Sequence, residues 1–451
     1  MRIKNFCTLM LVSIFTYATV YYFMSTVEQS RPRQTLTPET QDKLTKLESE
    51  ILSEKKSTQL LIQKLESFIQ THWEEKTLHE NLQNAVDENS KEADEIQKRK
   101  LQQILAHPVA AIAVLVFACN RVTVTRCLDQ LIKYRPDSRL FPIIVSQDCQ
   151  HEPTARAIQS YGDQVYHIQQ PDQSDIQVPP KEKKFKGYFK IARHYGWALN
   201  QTFNTYNFST VLIIEDDLDV SPDIYEYFLG TLPLLQADPT LWCVSAWNDN
   251  GKIGLVDKTA HDTIYRTDFF PGLGWMLTKS LWAELSVKWP ASYWDDWIRQ
   301  PQQRKNRACI RPEISRTRTF GKIGVSNGLF YEKYLKFIHL NDQFVPFTKK
   351  NLTFLLKDNY DVQFVRSVYN SRVISYQELK SGSIFFEGPV RIPYHTKDEY
   401  RRAAKNLGLM DDFRSGVPRT GYRGIVTFFY NKRRVYLAPY ANWKGYDLTW
   451  S

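Results

Sequence analysis

No Gly-x-Gly-x-x-Gly turn follows the first long apolar run of the chain's main body, which argues against NAD or FAD held in the dinucleotide-binding manner. Histidine is scarce, nine in 451 residues, and none falls into a metal-ligand motif, so a hydrolase built on several histidine ligands is disfavoured. Cysteine is scarcer still, six in all. Cys7 lies in an N-terminal apolar stretch, which leaves Cys119, Cys127, Cys149, Cys243 and Cys309. In an oxidising compartment that odd number makes two disulfides and one free thiol the simplest outcome, with the pairing left open. Charge of either sign is missing from Phe6 to Val27, a stretch long enough to span a bilayer. Arg2 and Lys4 before it and Glu28 after it keep the short tail in the cytosol and send the rest across. A cleaved signal peptide is the competing reading, although no small-x-small site closes the run.

What is present is a globular composition with 14% aromatic residues and room for two or three domains. The expected organisation is a cytosolic tail (1–5), a transmembrane signal anchor (6–27), a stem (28–106), a catalytic body (107–349) and a β-rich C-terminal domain (350–451). In the stem, Leu44, Leu47, Ile51, Leu61, Leu65 and Phe68 follow a broken heptad, with Glu54 and Thr58 at seam positions. A solitary amphipathic helix and a weakly coiled homodimer both fit that pattern. The net charge of +10 is no nucleic-acid footprint for a body beyond a membrane. It suits an anionic donor such as a nucleotide diphosphate, or is ordinary solvated surface. Asn200, Asn207 and Asn351 each begin an N-glycosylation sequon.

From Val109 the pattern alternates strand and helix. Apolar runs at 111–118, 141–145 and 165–168 read as strands, and helices are expected through Leu128 and Leu131 and along Tyr188, Ile191, Ala192, Tyr195 and Leu199. The alternation predicts an α/β, Rossmann-like sheet of parallel strands. Val211-Leu-Ile-Ile214 is the informative strand, because Glu215, Asp216 and Asp217 follow it directly. Ligands of open α/β sheets sit beyond the carboxyl ends of the strands. Three adjacent acids there repel one another unless a cation such as Mg²⁺ or Mn²⁺ joins them. A solvated acidic turn capping the next helix is the plainer account.

Further on, Phe269 to Trp275 reads as an apolar, glycine-containing loop that a sugar could approach closely. Trp294-Asp295-Asp296-Trp297 sets two acids between large aromatics, as a carbohydrate site would, or as a helix with a Trp face and a solvated Asp face would. The basic, glycine-containing stretch from Arg316 to Gly328 lacks periodicity and is expected as a loop, either ordering over phosphates or merely lying on the surface. The runs at 424–430 and 434–438 around Asn431-Lys-Arg433 read as a β-hairpin.

Val211 to Asp217, Phe270 to Trp275, Trp294 to Trp297, Arg307 to Thr317 and Phe344 to Thr348 together resemble the N-acetylglucosaminyltransferase I family, Golgi enzymes of the GT-A fold. The resemblance implies an inverting transfer of N-acetylglucosamine from UDP-GlcNAc, in β1,2 linkage, to the α1,3-linked mannose of a Man5GlcNAc2 glycoprotein acceptor. It implies a single-pass type II protein of the Golgi membrane with its body in the lumen. By position Asp217 is similar to the family's Mn²⁺ ligand and Asp216 to its ribose-binding acid. Arg121, Asp148 and His194 match nucleotide-holding residues, and Ser326 a loop hydroxyl near the phosphates. Glu215, Leu273 and Trp294 correspond to the wall around the transferred sugar, and Asp295 to the base; the sequence alone does not choose Asp295 over Asp296. The family pairing is Cys119 with Cys149 and Cys243 with Cys309, leaving Cys127 free. One departure is Asn327, where the family commonly has His. Two other classes remain on sequence grounds, a lumenal metal-dependent nucleotide phosphohydrolase and a non-catalytic Golgi lectin or tether.

Overall fold

The structure is a computed structural model that describes residues 16–22, 24, 42–43, 45–46, 49–67, 69, 110–322, 324 and 328–450. The chain divides into two units, residues 1–93 and 94–451. In the first, the described residues are helical, and Ile51, Leu61 and Leu65 lie exposed on that helix. Among the described residues no helix is long and apolar enough to cross a membrane. Of the predicted anchor, residues 16–22 and 24 are helical and the others lie outside the described residues, as do Leu44, Leu47 and Phe68 of the stem heptad.

The second unit is organised by an eight-stranded sheet. Its strands are β1 (Ile112–Ala118), β2 (Ile143–Gln147), β3 (Tyr166–Gln169), β4 (Thr210–Glu215), β6 (Leu241–Ser245), β7 (Ile264–Thr267), β8 (Trp275–Thr278) and β9 (Ala308–Pro312), in the order β3-β2-β1-β4-β8-β6-β9-β7. A short β5 (Leu218–Val220) pairs outside it with β10 (Thr317–Thr319). Every residue of β1 is buried, because both faces are covered. Ile112, Val114 and Val116 pack with Leu128 and Leu131 of the helix Val124–Tyr134. Ala113, Leu115 and Phe117 pack on the other side with Ala192, Tyr195 and Leu199 of the helix Lys186–Asn200. The pleat sends alternate residues to opposite faces, so one continuous apolar run serves two cores.

The expected all-parallel sheet needs correction. β3, β2, β1 and β4 are parallel, but β8 runs antiparallel to both β4 and β6, and β7 antiparallel to β9. This mixed order has a direct consequence for the site. An antiparallel strand begins at the edge where its parallel neighbours end, so the pairing of Trp275 with Ile213 brings the loop before β8 to the carboxyl end of β4.

The C-terminal segment also differs from the β-rich domain expected. Its four-stranded sheet, β11 (Arg372–Val373), β12 (Val390–Pro393), β16 (Arg433–Ala438) and β15 (Val426–Tyr430), is accompanied by the helices Lys357–Asn370, Tyr376–Ser381 and Lys397–Leu407 and a small hairpin of β13 (Phe413–Arg414) and β14 (Val417–Pro418). The hairpin read from sequence is present, with Tyr430 paired to Arg433. Its two turn residues, Asn431 and Lys432, both have positive φ, 48° and 60°, the conformation a tight two-residue hairpin turn requires. The segment is bound to the body through Asp268 N–H to Gly421 O (2.7 Å), Met410 N–H to Asn250 Oδ1 (2.9 Å) and the Arg434–Glu313 ion pair (3.0 Å).

Candidate active site

Three parallel strands deliver the polar residues to one edge. β1 ends into Cys119-Asn120-Arg121, β2 into Asp148, and β4 into Glu215-Asp216-Asp217. The register pairs Phe117 with Glu215, and the Asp216 N–H donates to Phe117 O at 3.0 Å, so the acids begin level with the end of β1. Disulfides join Cys119 to Cys149, Cα atoms 5.2 Å apart, and Cys243 to Cys309 on paired β6 and β9, 4.6 Å apart. Cys127 is free and buried.

The cleft has two adjoining parts. The larger, about 610 Å³, is bounded by Arg121, Asp148, His194, Glu215, Asp216 and Asp217 together with Tyr188, Ile191 and Tyr195. The smaller, about 180 Å³, is bounded by Leu273, Trp294, Asp295, Tyr293 and Arg299. Tyr188, Ile191 and Glu215 line both, so Asp217 and Asp295 face adjoining cavities that share a wall. Of the ten residues singled out from the sequence, nine gather around it. Ser326 lies outside the described residues.

The helix Lys186–Asn200 is the common wall. Gly187, Lys190, Ile191, His194 and Tyr195 recur at helical spacing and turn one face to the larger cavity. His194 Nε2 lies 2.8 Å from Ser146 Oγ, and burial pushes its pKa down to about 4. The Asp148 Oδ1 accepts from Gln173 Nε2 at 2.9 Å. Arg121 Nη1 donates to Asp216 Oδ1 at 2.8 Å and to Asp217 Oδ2 at 2.6 Å, setting positive charge between two acids. Burial, with Asp217 beside it, still pushes the Glu215 carboxyl up to about 7, and burial raises Asp216 to about 6 against the pull of Arg121.

The smaller cavity is closed by strained backbone. Gly272, Leu273 and Gly274 all have positive φ (69°, 51° and 90°), which is costly for a leucine. The turn is held by Thr317 Oγ1 donating to Leu273 O at 2.5 Å, and a Cβ on Gly274 would come within 2.6 Å of Thr317 Cγ2. Tyr293, φ 48°, precedes the one-turn helix Trp294–Ile298, and its hydroxyl donates to Glu182 Oε2 at 3.0 Å. Arg299 Nη1 donates to Asp295 Oδ2 (3.0 Å) and to Asp296 Oδ1 (3.1 Å), and Arg414 Nε donates to the same Asp296 oxygen (2.9 Å). Asp296 is thus tied by two guanidinium groups away from the cavity. Asp295 lines it, and its Oδ1 takes no hydrogen bond among the described residues.

A family description, GNT-I family, matches residues 9–450, nearly the whole chain. The chain belongs to the GNT-I family. A relative from Arabidopsis thaliana, named alpha-1,3-mannosyl-glycoprotein 2-beta-N-acetylglucosaminyltransferase, is 40% identical over 343 residues, 75% of this chain and 76% of that protein. As a GNT-I family member the chain is an N-acetylglucosaminyltransferase. Among solved structures, a mannosyltransferase from Pyrobaculum calidifontis in complex with GDP-Man and Mn²⁺ is 14% identical with a TM-score of 0.28, over 43% of this chain and 53% of its own. S. aureus TarS is 12% identical with a TM-score of 0.32, over 45% and 58%. Overlaps of this extent carry no argument about the site.

Two corrections concern this GNT-I chain's own residues. Arg316, expected at the start of a basic loop, is fully buried and paired with the equally buried Asp223 at 3.1 Å, and the next three residues form β10. Tyr195, expected as part of a helix's apolar face, brings a hydroxyl to the cleft and donates to Glu215 Oε1 at 2.9 Å. Arg299 was missed as well. A buried tyrosine on an apolar face is itself a signal, since its hydroxyl needs a partner.

Proposed function

We propose that the cleft transfers N-acetylglucosamine from UDP-GlcNAc to the 2-hydroxyl of the α1,3-linked mannose of Man5GlcNAc2, in one displacement that inverts the anomeric centre. The observation that carries the reading is that Asp217 and Asp295 line adjoining cavities sharing Tyr188, Ile191 and Glu215. In this reading the nucleotide occupies the larger cavity, against Arg121, Asp148, His194 and Asp216. The transferred sugar meets Glu215, Leu273 and Trp294 at the junction. Asp295 is the base. Arg299 holds one of its oxygens, and the other, which accepts no hydrogen bond among the described residues, takes the proton of the attacking mannose hydroxyl. Asp296, bound to Arg299 and Arg414, is a poor alternative.

The residues also fit a divalent cation. Among the described residues no group of three or more His, Cys, Asp or Glu is placed to hold a metal, so a protein cage is not on offer. Asp217 nevertheless presents a hard carboxylate, and the backbone opposite leaves the room that a Cβ on Gly321 would fill, 2.0 Å from Asp217 Oδ2. A single carboxylate suits an ion whose other ligands are diphosphate oxygens and water. Mn²⁺ at Asp217 would supply positive charge to the departing diphosphate. Arg121 lies against the same carboxylate and orients it.

Two disulfides suit an oxidising lumen, and with the uncharged run 6–27 they support a type II Golgi membrane protein. The exposed Ile51, Leu61 and Leu65 of the stem are where two copies would pair. The test is to incubate the full chain in detergent with UDP-GlcNAc, Mn²⁺ and a Man5GlcNAc2 glycopeptide. A β1,2-linked product supports the reading, whereas UDP-GlcNAc hydrolysis alone, or glycan binding without turnover, rejects it.

A further inference from the structure

We infer that Tyr195 is a positioning residue that sets the donor-sugar selectivity of the cleft by fixing which oxygen of Glu215 faces the sugar. The inference rests on the reading that Glu215 contacts the transferred N-acetylhexosamine. Tyr195 is buried between two rings. It stacks on Phe117 at 3.8 Å between centroids, 4° from parallel, and on Trp294 at 4.5 Å, 27° from parallel. Phe117 belongs to β1 and Trp294 to the short helix bearing Asp295, so the ring is clamped between separate elements and its hydroxyl has one place to go. That hydroxyl donates to Glu215 Oε1 at 2.9 Å. The second oxygen, Oε2, accepts no hydrogen bond among the described residues, and Glu215 lines both parts of the cleft.

A carboxylate held by one oxygen presents the other in a fixed direction. A fixed acceptor rewards a donor carrying an N–H or O–H at the matching place and disfavours one that leaves the acceptor unpaired. UDP, which lacks the transferred sugar, should be indifferent to the arrangement. Glu215 without Tyr195 can turn about its side-chain torsions, and the gain from a correctly placed hydroxyl or acetamido group falls.

The test is a binding cycle read by calorimetry on the full chain with Mn²⁺ present, using UDP and UDP-GlcNAc as probes. Tyr195→Phe keeps both ring stacks and removes only the hydroxyl. Its affinity for UDP should stay within about 2-fold while its affinity for UDP-GlcNAc drops by roughly 10-fold, the effect of one misaligned hydrogen bond. In a Glu215→Ala background the same substitution should cost nothing further, because Tyr195 acts through Glu215. The inference is overturned by equal weakening of both ligands, by unchanged UDP-GlcNAc affinity, or by a loss that persists without Glu215. Failure of the unsubstituted chain to bind UDP-GlcNAc at all would instead sink the reading beneath it.

Discussion

Replacing Gly321 by alanine should disable the cleft without weakening the fold. A Cβ built at that position lies 2.0 Å from Asp217 Oδ2, 2.7 Å from Cγ and 2.8 Å from Cβ. Reaching even a tight contact of about 3 Å requires the carboxylate to retreat by roughly 1 Å, and rotation alone does not help because Asp217 Cβ is crowded too. Placement errors of about 1 Å at a reacting centre cost on the order of 10²-fold. Gly321 is not among the positive-φ glycines, so alanine fits the backbone and restricts the unfolded chain, a gain of about 0.4–1 kcal/mol before the clash is counted. The expected result is a fall of about 10²-fold in GlcNAc transfer, a raised Mn²⁺ requirement, and a thermal midpoint near that of the parent. Gly324→Ala is the milder comparison, since among the described residues its Cβ would meet Arg121 Nη2 alone, at 3.2 Å, and leaves the Asp217 carboxylate untouched. Parental turnover with an unchanged Mn²⁺ requirement in Gly321→Ala would refute the reasoning that Asp217 works from this position.

Other outcomes follow from the same geometry. Asp295→Asn should lower turnover by roughly 10²- to 10⁴-fold with UDP affinity retained, whereas Asp296→Asn should lower it far less; a reversed order would move the base to Asp296. His194 is neutral when buried, with its pKa down at about 4 against about 6.5 unfolded, so the unfolded state binds the extra proton between those values. Its contribution is therefore intact above about pH 6.5 and is lost as pH falls towards 4, by up to about 3 kcal/mol. Urea denaturation at pH 7.5 and 4.5 should show a smaller acid loss for His194→Gln than for the parent, and equal losses would contradict the assignment. Removing the Cys243–Cys309 link, which spans 66 residues of sequence, should lower the unfolding free energy measured by urea denaturation by roughly 4 kcal/mol, if the unfolded chain gains the freedom expected.

Sequence reading reached the parallel half of the sheet because its signals are local. The runs in β1 and β4 are long, apolar and buried throughout, and the acids after β4 break that pattern at once. The direction of β8 has no such mark, being four residues whose two partner strands both lie well before it in sequence. Arg316 reads as basic loop because the aspartate that neutralises it lies 93 residues earlier. Asp295 and Asp296 are indistinguishable as neighbours, and what separates them is Arg414, 118 residues on. The disulfide pairing came from family resemblance, since five cysteines carry no pairing code. Tyr195 reads as packing because its ring does pack, and only the fold brings its hydroxyl to Glu215.

The Arg414–Asp296 contact makes the C-terminus part of the chemistry at a distance. Arg414→Ala would leave Asp296 leaning on Arg299 alone, in competition with Asp295 for the same guanidinium nitrogen. Trimming the tail goes further than losing that one guanidinium, because it also takes away β15 and β16, half of the four-stranded sheet, and the Arg434–Glu313 pair that ties the segment to the body.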